Sequence, residues 1–206
     1  MIESLRDYWY MWLLLLLLIA VAIWAGIKAS KAVRKKNDIM RRQEQEWKRQ
    51  KFLVEKYGNL TEAIAKEAEP AELAEGVTAV LQNRLDRSAN PDEMFLTSPD
   101  WEKNVYALLY FDEDCRDSLS FFCRHNEDPL PTVVLQGLQV IGEKKVYAAA
   151  SAMYAMYDEK NEGVSLDRDR VSELDEKFKQ VFDRDRFFAA IKEYILSVLQ
   201  TPETES

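Results

Sequence analysis

The chain passes through three regimes of apolar and polar positions. In the first, 8–27, no polar face exists: YWYMWLLLLLLIAVAIWAGI is twenty positions without a charge. A helix of that length, rising about 1.5 Å per residue, reaches roughly 30 Å, the thickness of a bilayer's hydrocarbon core. Six consecutive leucines, Leu13 to Leu18, rule out an amphipathic core helix. Tyr8, Trp9 and Trp12 crowd one end and Trp24 lies near the other, where aromatic rings favour the headgroup level. The second regime, 28–57, is a polar helix without Pro or Gly. Val33, Met40, Trp47 and Val54 recur every seven residues, but the companion heptad positions are polar, so no stable coiled coil is predicted. In the third, from about 58 to 200, apolar residues recur at helical spacing.

The third regime predicts a succession of short helices. A piece over 61–69 is followed by one that opens at Pro70 and runs to about Leu85, where proline suits the first turn. Asn90-Pro91 breaks it. Ser98 is read as an N-cap with Pro99 at the first helical position, and Val105, Leu108 and Leu109 face the core at helical spacing, with Asp112 next in the series. Further helices are expected over 115–124, 132–141, 143–157, 170–182 and 184–199. Gly142 is read as a left-handed stop, 158–167 as a polar loop and 201–206 as a frayed tail. No alternating run framed by hairpin turns occurs. The predicted fold class is therefore all-α: one transmembrane helix, a basic helical linker and a single acidic helical bundle. With 47% apolar residues the bundle has ample material for a core.

Charge orients the anchor. Ten basic residues lie in 28–51 against Asp38, Glu44 and Glu46, a net of +7, with Lys28, Lys31, Arg34, Lys35, Lys36, Arg41 and Arg42 nearest the span. Positive flanks stay cytoplasmic, which places 1–7 outside and everything after Lys28 on the cytoplasmic side of the membrane. The same residues suit anionic headgroups of the lipid bilayer. A secretory leader would need a basic start, and MIESLRD sets Glu3 and Asp7 against Arg6. Residues 52–206 carry 31 Asp and Glu against 17 Lys and Arg, a net of −14. Such a domain repels nucleic acid and attracts basic partners. Ala22, Gly26 and Ser30 form a small-xxx-small spacing compatible with a homodimer.

Catalytic equipment is sparse. His125 is the single histidine, and Ser118 and Ser120 lie near it outside any nucleophile elbow. Cys115 and Cys123 match no zinc spacing and are expected as reduced thiols. Neither a phosphate-cradling loop nor a dinucleotide fingerprint is present, so no cofactor is expected. Asp112, Glu113, Asp114 and Asp117 form the most concentrated acidic cluster and the candidate interaction surface. A second set, Asp158, Glu159, Glu162, Asp167 and Asp169, surrounds the polar loop and reads as solvated charge. Paired carboxylates can also hold a divalent ion or move protons. A metal-dependent enzyme using Asp112, Glu113 or Asp117 with His125 is accordingly the rival expectation.

Three blocks carry a family resemblance: NVYALLYFDEDCRDSLSFF, LQGLQVIGEKKVYAAASAM, and ELDEKFKQVF with the closing IKEYI. Over 104–195 they resemble a bacterial all-helical family of largely unknown function that includes a DNA-mimic protein. Its first block carries an N-G-G-F-type core, where this chain has Asp117-Ser118-Leu119 before Ser120-Phe121-Phe122. The Ile141-Gly142 restart and the Leu174-Asp175-Glu176-Lys177-Phe178 run follow its pattern. The resemblance implies a helical fold and, for the mimic member's activity, carboxylates that occupy a transcription factor's DNA-binding face. The residues themselves point to a membrane-anchored protein-interaction module without catalysis.

Overall fold

Short polar side chains start five of the helices. Thr61, Asn90, Ser118, Asp167 and Asp183 each accept an N–H from the following turn, satisfying donors that have no partner within the helix. The structure, a computed structural model, describes Leu15, Leu17, Leu18, 40–157 and 167–201. Among these residues all regular structure is α-helical. The helices are α1 (40–57), α2 (Glu62–Glu67), α3 (Pro70–Arg87), α4 (Pro91–Thr97) and α5 (Asp100–Asp114). They continue as α6 (Leu119–His125), α7 (Leu130–Val140), α8 (Lys144–Tyr157), α9 (Arg168–Val181) and α10 (Arg184–Gln200).

The chain divides into two units, Met1–Gln50 and Lys51–Ser206. In the first, residues 40–50 are helical and exposed throughout, Met40 and Trp47 included. Among the described residues no helix is long and apolar enough to cross a membrane. The predicted span, 8–27, lies outside the described residues except for Leu15, Leu17 and Leu18, as do Lys28, Lys31, Arg34, Lys35 and Lys36.

The second unit is built around α5, which packs against α3, α6, α7 and α10. Its inward stripe is Val105, Leu108, Leu109 and Phe111, all buried. Phe111 sits at the centre of an aromatic cluster. It meets Phe122 and Phe178 edge-on, with centroids 5.1 and 5.7 Å away, while Phe182 and Phe187 close the ring at 6.3 and 6.4 Å. Such pairs add about 0.5–1.5 kcal/mol each beyond the area they bury. The cluster draws α5, α6, α9 and α10 to one point. At the other side of the unit Tyr57, 2% exposed, lies on Gly76 of α3; a Cβ there would fall 2.1 Å from the ring. The Tyr57 hydroxyl donates to Glu72 at 2.9 Å.

Gly142 has φ of +75°, as its sequence position predicts, and ends α7. The Glu143 N–H reaches back to the Leu138 carbonyl at 3.0 Å, the six-to-one bond of a left-handed helix stop. Elsewhere the predicted boundaries shift. Ser98 does not cap α5: its hydroxyl donates to the Met94 carbonyl at 2.7 Å and closes α4, while Pro99 precedes the first residue of α5. The helix opened by Pro70 ends at Arg87, before Asn90-Pro91 as expected, and the segment that follows, to which no helix is assigned from the sequence, is α4, because Asn90 caps it and Pro91 starts it. The helix expected from Cys115 begins at Leu119, since Cys115 already ends α5 and Ser118 caps α6. The predicted loop up to Leu166 lies outside the described residues, and Asp167 is the cap of α9.

Candidate functional site

The acidic cluster of the α5–α6 junction does not form one surface. Asp112 faces inward because it continues the helical stripe of Val105 and Leu108, and it is 1% exposed. Arg184, in the first turn of α10, clamps it: Nε donates at 3.0 and 3.1 Å to the two carboxylate oxygens and Nη2 at 3.0 Å. The guanidinium also lies 5.1 Å from the Phe188 ring centre, and the Asp112 carboxylate raises its pKa. Asp112 is thus a structural group joining α5 to α10, withdrawn from any partner. Asp114 accepts from the Asn126 amide at 2.7 Å. Glu113 and Asp117 are solvent-exposed residues. Neighbouring atoms nevertheless desolvate the Glu113 carboxyl enough to raise its pKa.

Arg186 repeats the clamp two residues on. Its Nε and Nη2 donate to the two oxygens of Glu143 at 2.8 and 2.9 Å, and Glu143 is 8% exposed. The run Asp183-Arg184-Asp185-Arg186 therefore caps α10 and delivers two fork-shaped cations to two buried carboxylates. Planar, bidentate pairing of this kind is what guanidinium geometry favours.

The groups of the rival catalytic reading are held elsewhere. His125 Nδ1 is 2.9 Å from the Phe121 carbonyl, and its ring stacks on Phe121 with centroids 4.1 Å apart. Ser118 and Ser120 are hydroxyl neighbours at 2.9 Å, and Ser120 donates through N–H and hydroxyl to Asp175 of α9 at 2.9 and 2.7 Å. Both cysteines are buried free thiols. Burial raises the Cys115 pKa and pushes Cys123 up to about 12, so both stay protonated at neutral pH. Among the described residues no three His, Cys, Asp or Glu side chains gather where an ion could be held.

A concave feature lies instead at α3, α4 and α5. It is a cleft of about 790 Å³ whose floor is apolar: Leu85, Pro91, Phe95, Leu96, Tyr106 and Leu130. Phe95 and Tyr106 meet with ring centroids 5.6 Å apart, and the Tyr106 hydroxyl donates to Gln82 at 2.8 Å. Partial burial raises the pKa of that phenol. Leu96 remains 61% exposed. Asp86, Asp92 and Asp128 stand at the margin, from the end of α3, the start of α4 and the turn before α7, and no Lys or Arg is among the described residues that line it. Asp128 precedes Pro129 through a cis peptide bond. It accepts from the Tyr154 hydroxyl at 2.6 Å and the Thr132 hydroxyl at 2.8 Å, and those bonds hold its carboxyl below the usual range. A second hollow of about 400 Å³, lined by Cys123, Arg124, Tyr154 and Tyr157 among others, shares Asp128 with the first.

The cleft is not legible in the sequence pattern because the pattern assigns no helix to its wall, α4. Its signal was present: Phe95-Leu96, an apolar pair in a seven-residue segment bracketed by Pro91 and Pro99. Comparison with family models, with curated proteins and with solved structures found no match.

Proposed function

We propose that the chain is a single-pass membrane protein whose acidic helical domain binds another protein through the α3–α4–α5 cleft and performs no catalysis. The observation that carries this reading is the cleft floor, where Leu96 and the Phe95 and Tyr106 rings face a concavity of about 790 Å³. Apolar surface held open to water is relieved when a partner covers it. The uncharged run 8–27 and the +7 stretch after it supply the anchor and put the domain on the cytoplasmic side. Tethering confines the search for a partner to the membrane surface and raises its effective concentration there.

A photo-crosslinker placed at Leu96 in the full chain, expressed in its own membranes, tests the reading. A discrete crosslinked protein, together with retention of the chain in the membrane fraction after alkaline carbonate, is the expected result. Release into the carbonate supernatant overturns the anchor. Absence of crosslinks from Leu96 and from exposed positions on the other helices overturns the interaction module.

The family resemblance and the −14 charge of 52–206 favour one narrower reading, a DNA-mimic surface that occupies a DNA-binding protein. That association would weaken steeply with salt and be competed by duplex DNA. Binding indifferent to both excludes it.

A further inference from the structure

We infer that the α3–α4–α5 cleft receives a short cationic segment of a partner protein, its apolar side chains on the Phe95–Leu96 floor and its Lys or Arg side chains against Asp86, Asp92 and Asp128. This rests on the protein-binding reading and adds the site and the chemistry of the ligand. The floor alone would accept any apolar group. The margin makes the choice. Three carboxylates from three separate segments converge on one opening, and among the described residues no cation lining the cleft neutralises them there. Asp128 is held ionised by two hydroxyl donors, Tyr154 and Thr132, whose bonds also fix where its charge lies. Asp86 accepts from Gln82 at 2.7 Å, which sets it beside the Tyr106 phenol that shares the same glutamine.

An anionic or neutral occupant would have to bury apolar surface beside unanswered carboxylates, which costs free energy for every charge left without a partner. A segment with Lys or Arg next to aliphatic or aromatic residues answers both features. The long stems of those side chains cover apolar surface while their heads reach the margin. The −14 domain adds long-range attraction, so such a segment also arrives faster than a neutral one.

The test uses the full chain in neutral detergent micelles, with empty micelles as the blank and fluorescence anisotropy as the readout. Three labelled octapeptides are titrated: Lys-Leu-Trp-Lys-Arg-Leu-Phe-Lys, the same peptide with every cation replaced by Glu, and a Lys/Arg/Ser peptide of equal charge without apolar residues. The first is expected to bind and the other two are not. The Asp86→Asn/Asp92→Asn double variant is expected to weaken it about tenfold, and Leu96→Ser about threefold or more. Both alter exposed side chains, so their circular dichroism and melting serve as the folding control.

Binding unchanged in these variants, equal binding of the serine peptide, or no binding of the first peptide overturns the inference. Binding that emerges only after Lys35, Lys36, Arg41 and Arg42 are replaced with Gln makes the chain's own basic stretch the occupant, and also overturns it. If the peptides fail while crosslinking recovers a partner from another helix, only the cleft assignment falls. If both experiments fail, the interaction module falls with it.

Discussion

Two sets of carboxylates in the same domain have opposite surroundings. Asp112 and Glu143 are 1% and 8% exposed, and each is clamped by a guanidinium from the first turn of α10. Asp86, Asp92 and Asp128 are exposed residues around an apolar hollow that no described cation lines. Burying a carboxylate costs several kcal/mol unless a partner of matched geometry answers it, so the inner pair must carry its own counter-ions. An exposed carboxylate has no such need and remains open to an external one. Acidity by itself therefore says little about this domain. Depth and the presence of a built-in cation separate the charges that fix the bundle from those available to a ligand.

The sharpest way to break the contrast is to remove one clamp. Arg184→Ala leaves Asp112 buried without its main counter-ion and should cost about 2–4 kcal/mol, below the full value for a wholly buried pair because the Arg184 side chain is 52% exposed. Urea unfolding of the full chain measures it, and the Arg184→Met/Asp112→Leu double variant should recover much of the loss. Arg186→Ala should cost less than Arg184→Ala, because Glu143 keeps slightly more contact with water than Asp112.

The outer set should behave in the other way. Asp86→Asn/Asp92→Asn is expected to leave stability within about 0.5 kcal/mol by the same unfolding measurement, even though it weakens the cationic peptide. A loss comparable to that of Arg184→Ala would mean that the margin is structural too, and the contrast would vanish.

The smallest effect concerns pH. Asp128 has a lowered folded-state pKa, through the Tyr154 and Thr132 hydroxyls. Its contribution to stability is whole above the ordinary carboxylate value, about 3.9, and is lost as pH falls through the depressed folded value. Tyr154→Phe should flatten that part of the stability profile, on the acid side of the ordinary carboxylate value, and leave the profile near neutrality parallel to the parent's.

Much of the fold was legible in the sequence, because helical spacing and caps are local. Val105, Leu108 and Leu109 face the core as their spacing predicts, and Gly142 takes the left-handed turn. The boundaries that moved did so where two capping residues competed. Ser98 turns back to close α4 instead of opening α5, and Ser118 starts α6 after a turn that the run of polar residues did not mark. The acidic cluster was legible as composition only. Asp112 follows the inward stripe by position, but its partner, Arg184, lies 72 residues away, and no local pattern pairs them. The cleft was least legible, since it is assembled from α3, α4, α5 and the turn before α7, whose proximity is a tertiary fact.

Hydrogen exchange of the full chain, with and without the Lys-Leu-Trp-Lys-Arg-Leu-Phe-Lys peptide, tests the division between inner and outer carboxylates most directly. Slowed exchange confined to the end of α3, to α4 and to the start of α7, with the amides around Asp112 and Arg184 unchanged, is the predicted result. Slowing centred on Glu113 to Asp117, or spread evenly over the acidic surface, would contradict it.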